Sequence, residues 1–387
     1  MRISDVFILW AALVLVLACP ALRADESTNP EWTDPVKAAA EIMPRADRAL
    51  LLDIVRSKDR IIAIGERGNI LFSGDGKSWT QAQVPTRATL TAIAVNGDHA
   101  WAAGHDGVIL RSDDRGESWA LQRSDPLDSS IPPYQRDPRQ GSPLLDIMFV
   151  DAERGYAVGA YNLMLETRDG GASWNRVSLQ QPAAPTAATS TSDDETQAAD
   201  NPESAVTEAS ADSTSGEPVD RYAFSQDELA LGAETDPHLN GIARTGSGAF
   251  FVVAERGSAY RSRDDGASWQ RLKLPYDGSM FGVIGYEGEH VLVYGLRGNV
   301  FESSDLGDHW QRIETGTEFS LVGGAALGGT GAVLVGANGT MLARRDGDVA
   351  FTANTDLDAG AFGNILPLDD SKALVVGENG VNEVVIP

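Results

Sequence analysis

The sequence predicts an all-β chain folded as a seven-bladed β-propeller of four-stranded antiparallel blades, and three observations predict it. A unit of about 41 residues recurs along the chain, closing on an aromatic at Trp79, Trp119, Trp174, Trp269, Trp310 and Phe351. The 387 residues include 40 glycines, set between short apolar runs, a pattern of many turns and short strands. No single unit of this kind can bury both of its faces, so the units must stack and the ring must close.

The core of the unit reads GERGNILFSGDGKSW (65–79), GHDGVILRSDDRGESW (104–119), GAYNLMLETRDGGASW (159–174), AERGSAYRSRDDGASW (254–269) and GLRGNVFESSDLGDHW (295–310). A degenerate sixth copy is GANGTMLARRDGDVAF (336–351), and a truncated seventh is GENGVNEVVIP (377–387). The aromatics step by 40, 55, 95, 41 and 41 residues, so the two long steps are insertions into one period.

Within a unit, an apolar stretch such as Leu145 to Phe149 makes the inner strand, and one such as Gly155 to Gly159 returns antiparallel to it. A Gly-x-x-Gly turn follows, since glycine takes the positive φ that tight turns require. The third strand alternates, as in Val108 to Ser112. The second turn, such as Asp114-Arg115-Gly116, uses Asp and Ser side chains to hold backbone N–H groups. The closing Trp is large enough to fill the wedge between blades. Asp75, Trp79, Asp114, Trp119, Asp169, Trp174, Asp264, Trp269, Asp305 and Trp310 are therefore read as structural. The propeller occupies 49–387. Its seventh unit stops after a third strand, and residues 25–48, around Glu41-Ile42-Met43-Pro44, are expected to close the ring by supplying the missing outer strand.

Two insertions interrupt the propeller: a proline-rich loop at 124–143, carrying Arg136 and Arg139, and an acidic stretch at 180–238. The latter holds 13 Asp and Glu against one Arg, a composition too polar to order itself. It is read as largely disordered. Both connect an outer strand to the next inner strand, and so lie on the face of the Gly-x-x-Gly turns, with the Asp-bearing turns on the opposite face. The inner residues of those turns include Arg67, Arg256 and Arg297, with Tyr161 and Asn162 at the third unit. Three guanidiniums on one face suit carboxylates or an acidic peptide segment. The alternative is that each pairs with a neighbouring Glu on a solvated rim.

The N-terminus reads as a secretory signal over 1–24. Arg2 begins it, Val6 to Ala18 is apolar, and Ala24 precedes Asp25-Glu26. An uncleaved anchor is the alternative, although the apolar run is shorter than the ~20 residues of a spanning helix. A lipoprotein carrying lipid on Cys19 is another, although Leu17 and Pro20 fit that site poorly. Cleavage at Ala24 removes the only cysteine and with it disulfide and thiol chemistry. The expected location is periplasmic, or lumen-like in a photosynthetic host, with no membrane insertion after cleavage. A net charge of −25 opposes nucleic acid and anionic lipid as partners. A monomer is expected.

The Ser-x-Asp-x-Gly-x-x-Trp pattern of Ser112 to Trp119, Ser262 to Trp269 and Ser303 to Trp310 resembles the Asp-box, or bacterial neuraminidase (BNR) repeat. With the Gly-x-x-Gly run ahead of it, the chain is most similar to the photosystem II stability and assembly factor family over roughly 40–180 and 239–387. That resemblance implies a non-catalytic seven-bladed scaffold that binds a membrane protein or membrane complex during its assembly or operation, such as a transporter in a non-photosynthetic bacterium. It also implies an arginine-bearing contact surface, to which Arg67, Arg256 and Arg297 correspond by place in the repeat. The acidic insertion and the strongly negative charge depart from the family pattern.

The competing readings are a sialidase-like glycoside hydrolase and an extracellular adhesion module. A sialidase needs an arginine cluster, a Tyr–Glu nucleophile pair and an acid carboxylate converging on the axis. Inner strands such as Leu90 to Ile93 and Gly282 to Ile284 are mostly apolar instead, and the Arg-Ile-Pro motif is absent. The five histidines show no ligand spacing, and neither phosphate loops nor a nucleophile elbow occurs. No enzyme activity, cofactor or metal is expected.

Overall fold

The computed structural model describes residues 34–125, 130–132, 135, 141–179 and 236–387. The expected signal peptide, Cys19 and most of both insertions lie outside the described residues. Pro35–Pro387 forms one compact unit.

That unit is a seven-bladed propeller. Its inner strands are Leu51–Ser57, Leu90–Asn96, Leu144–Phe149, Leu239–Arg244, Met280–Gly285, Leu321–Ala326 and Phe362–Pro367, opening blades one to seven. Each is followed outward by antiparallel neighbours in sequence order, four strands in blades one to six. Blade seven has three among the described residues.

Seven apolar clusters hold the ring, one in each wedge between neighbouring blades. Six are closed by the aromatic of the later blade: Trp119 between blades one and two, Trp174, Trp269 and Trp310 in the next three, Phe351 between five and six, and Trp79 between seven and one. Ile386 takes this place between six and seven, where the truncated unit has no aromatic. Trp79 packs at the wedge of blades seven and one, where Leu374 and Val376 meet Ile54 and Ile61, and this closes the ring.

The expected outer strand from Glu41-Ile42-Met43-Pro44 is not formed; those residues adopt no strand. The segment is instead a strap across blade one. Val36 and Ala40 sit in the wedge of blades one and two, while Met43 and Ala46 sit in that of blades seven and one. Its polar contacts go to the rim of blade one: the Ala40 N–H donates to the Val84 carbonyl, and the Met43 N–H to Gln81 Oε1. Pro44 lacks the N–H that a ladder would use. A short 3-10 turn, Ala46–Arg48, then lies against the last strand, with Arg48 donating to Asn382.

Candidate functional site

Every inner strand is irregular near its first residue, the register slipping between Leu51 and Asp53, Leu90 and Ala92, Leu239 and Gly241, Met280 and Gly282, Leu321 and Gly323, and Phe362 and Asn364. In blade three the same slip falls between Leu144 and Asp146, opposite Val158 and Gly159. A bulge re-aims side chains and leaves an N–H unpaired in the ladder. Here polar side chains take up those groups across the blade boundaries. Asp53 accepts from the N–H of Ile54 (2.7 Å) and of Ile93 in blade two (2.8 Å). Asp146 does the same with Ile147 and with Ile242 of blade four, both at 2.8 Å. Asn364 accepts from Ile365 and from Gly324 of blade six, and donates to Asp53. Thr91 donates to the Leu144 carbonyl, and Asn240 to that of Met280.

These side chains surround a cavity of roughly 270 Å3 on the axis, with Leu52, Leu145, Phe281, Val322 and Tyr294. Burial pushes the Asp53 carboxyl up to about 6 despite its three hydrogen bonds. It pushes Asp146 up to about 7, the nearby Asp53 charge adding to the effect. Tyr294 is raised further by burial and by both acids. The inner strands are therefore less apolar at the axis than the sequence suggests. The recurrence of Asp or Asn at the third inner-strand position (Asp53, Asp146, Asn364) was the available signal.

The predicted binding residues lie on the face where the inner strands begin. The turn after the second strand meets that start directly: the Glu66 N–H donates to the Leu50 carbonyl, and the Leu296 N–H to that of Ser279. Arg67, Arg256 and Arg297 each hold the positive-φ position of their turn, at 55°, 56° and 57°. All three residues are exposed. Neither Arg67 nor Arg297 forms an ion pair with Glu or Asp among the described residues. They do not form an even ring: Arg256 and Arg297 belong to adjacent blades four and five, and Arg67 to blade one across the ring.

Tyr161 and Asn162 have positive φ as well. The Asn162 N–H donates to the Pro237 carbonyl, and Tyr161 packs edge-on to His238 with centroids 5.0 Å apart. The second insertion thus rejoins the ring between blades three and four, on the arginine-bearing face. The first leaves and returns there too, through the Asp125 N–H to the Asp106 carbonyl and the Ala160 N–H to the Pro143 carbonyl.

The Asp-bearing turns occupy the other face and act within themselves. Asp75 accepts from the N–H of Ser78 and Lys77 and is held down to about 2 by them. Asp169 and Asp264 are held at about 2 by the hydroxyl and N–H of Ser173 and Ser268. Asp305 is lowered by the N–H and ring of His309; at Asp114, hydrogen bonds from Ser118 and Ser112 outweigh desolvation. These turns are also clasped by arginines of the preceding blade. Arg111 donates to the Gly170 carbonyl (2.9 Å), Arg261 to that of Leu306 (2.9 Å), and Arg154 to that of Asp265. Between blades five and six the polarity is reversed: Arg344, 2% exposed, grips Glu302 of blade five with bonds of 2.7 and 2.9 Å, and His290 completes the cluster. Against desolvation, these partners hold Glu302 at about 2. Sequence reasoning missed this use of arginine. No group of three or more His, Cys, Asp or Glu suited to a metal occurs among the described residues.

The chain is thus a propeller with structural Asp turns on one face and exposed arginines among the turns of the other. The family model of the photosystem II assembly factor YCF48 matches residues 128–203. The photosystem II assembly lipoprotein Ycf48 of Prochlorococcus marinus is 43% identical over 58 residues, 15% of this chain and 17% of that protein. The uncharacterized protein YkuO of Bacillus subtilis is 36% identical over 64 residues, 16% of this chain and 22% of that one. The chain thus spans about a fifth of the curated relatives it matches. Among solved structures, YCF48 bound to a D1 peptide aligns over 88% of this chain and 94% of its own, with TM-score 0.56 and 14% identity. YCF48 from Cyanidioschyzon merolae gives TM-score 0.57 and 14% identity, over 90% of this chain and 99% of its own. A virginiamycin B lyase from Staphylococcus aureus shares the fold at TM-score 0.60 and 10% identity, over 90% of this chain and 98% of its own, so the ring alone does not choose between binding and catalysis. The sequence matches to YCF48 proteins are thus local, and the solved YCF48 structures share the propeller fold with this chain.

Proposed function

We propose that this propeller is a non-catalytic exported scaffold that uses its arginine-bearing face to bind a segment of a membrane protein or membrane complex during assembly. The observation that carries this reading is the exposure of Arg67, Arg256 and Arg297 on one face, at positive-φ turn positions that aim them away from the blades. A guanidinium on a rigid turn loses little freedom when it grips a carboxylate, which favours acidic or C-terminal segments as ligands. Support also comes from the solved YCF48 that holds a D1 peptide. The three guanidiniums share this face with Glu66, Asp106, Glu255 and Glu378 in a chain of net charge −25, so attraction is local and falls with salt. Export rests on the signal-like residues 1–24 and belongs to the same proposal.

The test is affinity capture from detergent-solubilised membranes with the wild-type chain and the R67E/R256E/R297E variant. An integral membrane protein retained by the wild type and lost from an equally stable variant supports the reading. Equal capture by both would refute the role of this face.

A further inference from the structure

We infer that the axial cavity is a receptor for a primary ammonium group carried on a short alkyl stem. Asp53 and Asp146 face this cavity without a Lys, Arg or His among the residues that line it. Buried carboxylates are ordinarily paired with a cation. Their bridging of neighbouring blades does not demand charge. Asn364 joins blades six and seven with a neutral amide oxygen, accepting from Gly324 at 3.1 Å and Ile365 at 2.8 Å. Two of the three equivalent bridges are nevertheless acidic.

The second observation is Tyr294. It is 5% exposed, lines the cavity, and its hydroxyl has no hydrogen-bond partner among the described residues. The hydroxyl is open to the cavity and keeps its hydrogen-bonding capacity for whatever enters it. Glycines make the space it occupies: a Cβ on Gly282 would collide with the Tyr294 hydroxyl, and one on Gly324 would come within 3.3 Å of its ring. The phenol and the two carboxylates thus border one cavity as acceptors with no cationic donor to serve.

The chemistry of these acceptors selects the ligand. Each carboxylate already uses both oxygens on backbone N–H groups, so neither offers the open edge that a guanidinium grips bidentately. A compact ammonium with three donors needs only one remaining lone pair from each acceptor. The cavity wall is mostly polar even though Leu52, Leu145, Phe281 and Val322 are among the residues around it, so the charged group and not the stem carries the binding. A cavity of about 150 Å3 accommodates benzene, so this larger one holds an amine of similar heavy-atom count. An ammonium between the acids would favour their ionised forms. Both a free alkylamine and the side chain of a lysine in a polypeptide present this group.

The test is titration calorimetry on the full chain at pH 8 with n-pentylamine, 1-pentanol and Nα-acetyl-lysine methylamide. The amine should bind about tenfold or more tightly than the alcohol, as expected for charged hydrogen bonds. Asp146→Asn should weaken amine binding by a similar factor. Tyr294→Phe, which keeps the ring and its packing, should weaken it several-fold if Asp146→Asn does not fold. Binding of the lysine derivative as well points to a polypeptide source; binding of pentylamine alone points to a free amine. Equal affinity for pentylamine and pentanol, or unaltered binding by Tyr294→Phe, overturns the inference. Loss of membrane-protein capture with amine binding intact would refute only the reading of the arginine face.

Discussion

Replacing Asp146 with asparagine should stabilise the propeller at alkaline pH and leave it little changed in mild acid. The carboxyl is raised from 3.8 to about 7 because burial on the axis disfavours its charge, with Asp53 adding to the effect. A group raised in this way contributes stability below its unfolded value and loses it as pH climbs through its folded value. An elevation of this size corresponds to about 4 kcal/mol in full, of which about 3 kcal/mol lies between roughly pH 5 and pH 8.5. Asparagine keeps an amide oxygen for the N–H of Ile147 and Ile242, the role Asn364 already plays. Urea unfolding followed by fluorescence of the wedge tryptophans reads the difference. With an m-value of about 3 kcal/mol/M, the wild-type midpoint should fall by about 1 M relative to Asp146→Asn over that range. Parallel pH dependences for the two proteins would refute the account of a buried, unpaired acid.

Three further outcomes are expected. Deleting residues 25–48 removes Val36, Ala40, Met43 and Ala46 from two wedges and should lower the melting temperature by about 10 °C in scanning calorimetry; an unchanged melting curve would show that the strap is dispensable. Glu302→Gln leaves Arg344 buried without its charge partner and should cost about 3–5 kcal/mol in denaturant unfolding; a cost below about 1 kcal/mol would mean that the cluster relaxes into solvent. Asp264 is held at about 2, so its stabilisation is present above roughly pH 4 and lost as pH falls toward 2. Asp264→Asn should therefore flatten the acid limb of the stability curve, and an unchanged limb would remove the turn from the causes of acid unfolding.

The blades are legible in the sequence because each repeat carries its own local instructions. The Asp, Gly and Trp of one turn sit within a few residues of each other, and the turn forms from groups in that window, as Ser262, Asp264 and Ser268 show. The role of Trp119 or Trp269 in a wedge is legible from size alone. What escapes is the partnership between repeats. Arg111 looks like a solvent-facing residue of an alternating strand, yet it spans to a turn 59 positions on. Counting gives the seventh blade a fourth strand, but Val36 and Ala40 pack instead in the wedge of blades one and two.

The sequence by itself determined the number of blades, the two kinds of turn and the face on which each lies, because these follow from φ preferences and hydrogen bonds within a few residues. It also placed Arg67, Arg256 and Arg297 on one face, since the repeat sets that register. Only the tertiary structure decided what meets on the axis. Asp53, Asp146, Tyr294 and Asn364 are up to 311 residues apart in the chain, and ring closure alone brings them around one cavity. The desolvation that perturbs those carboxyls is likewise a property of the closed ring, since no single blade can remove them from water.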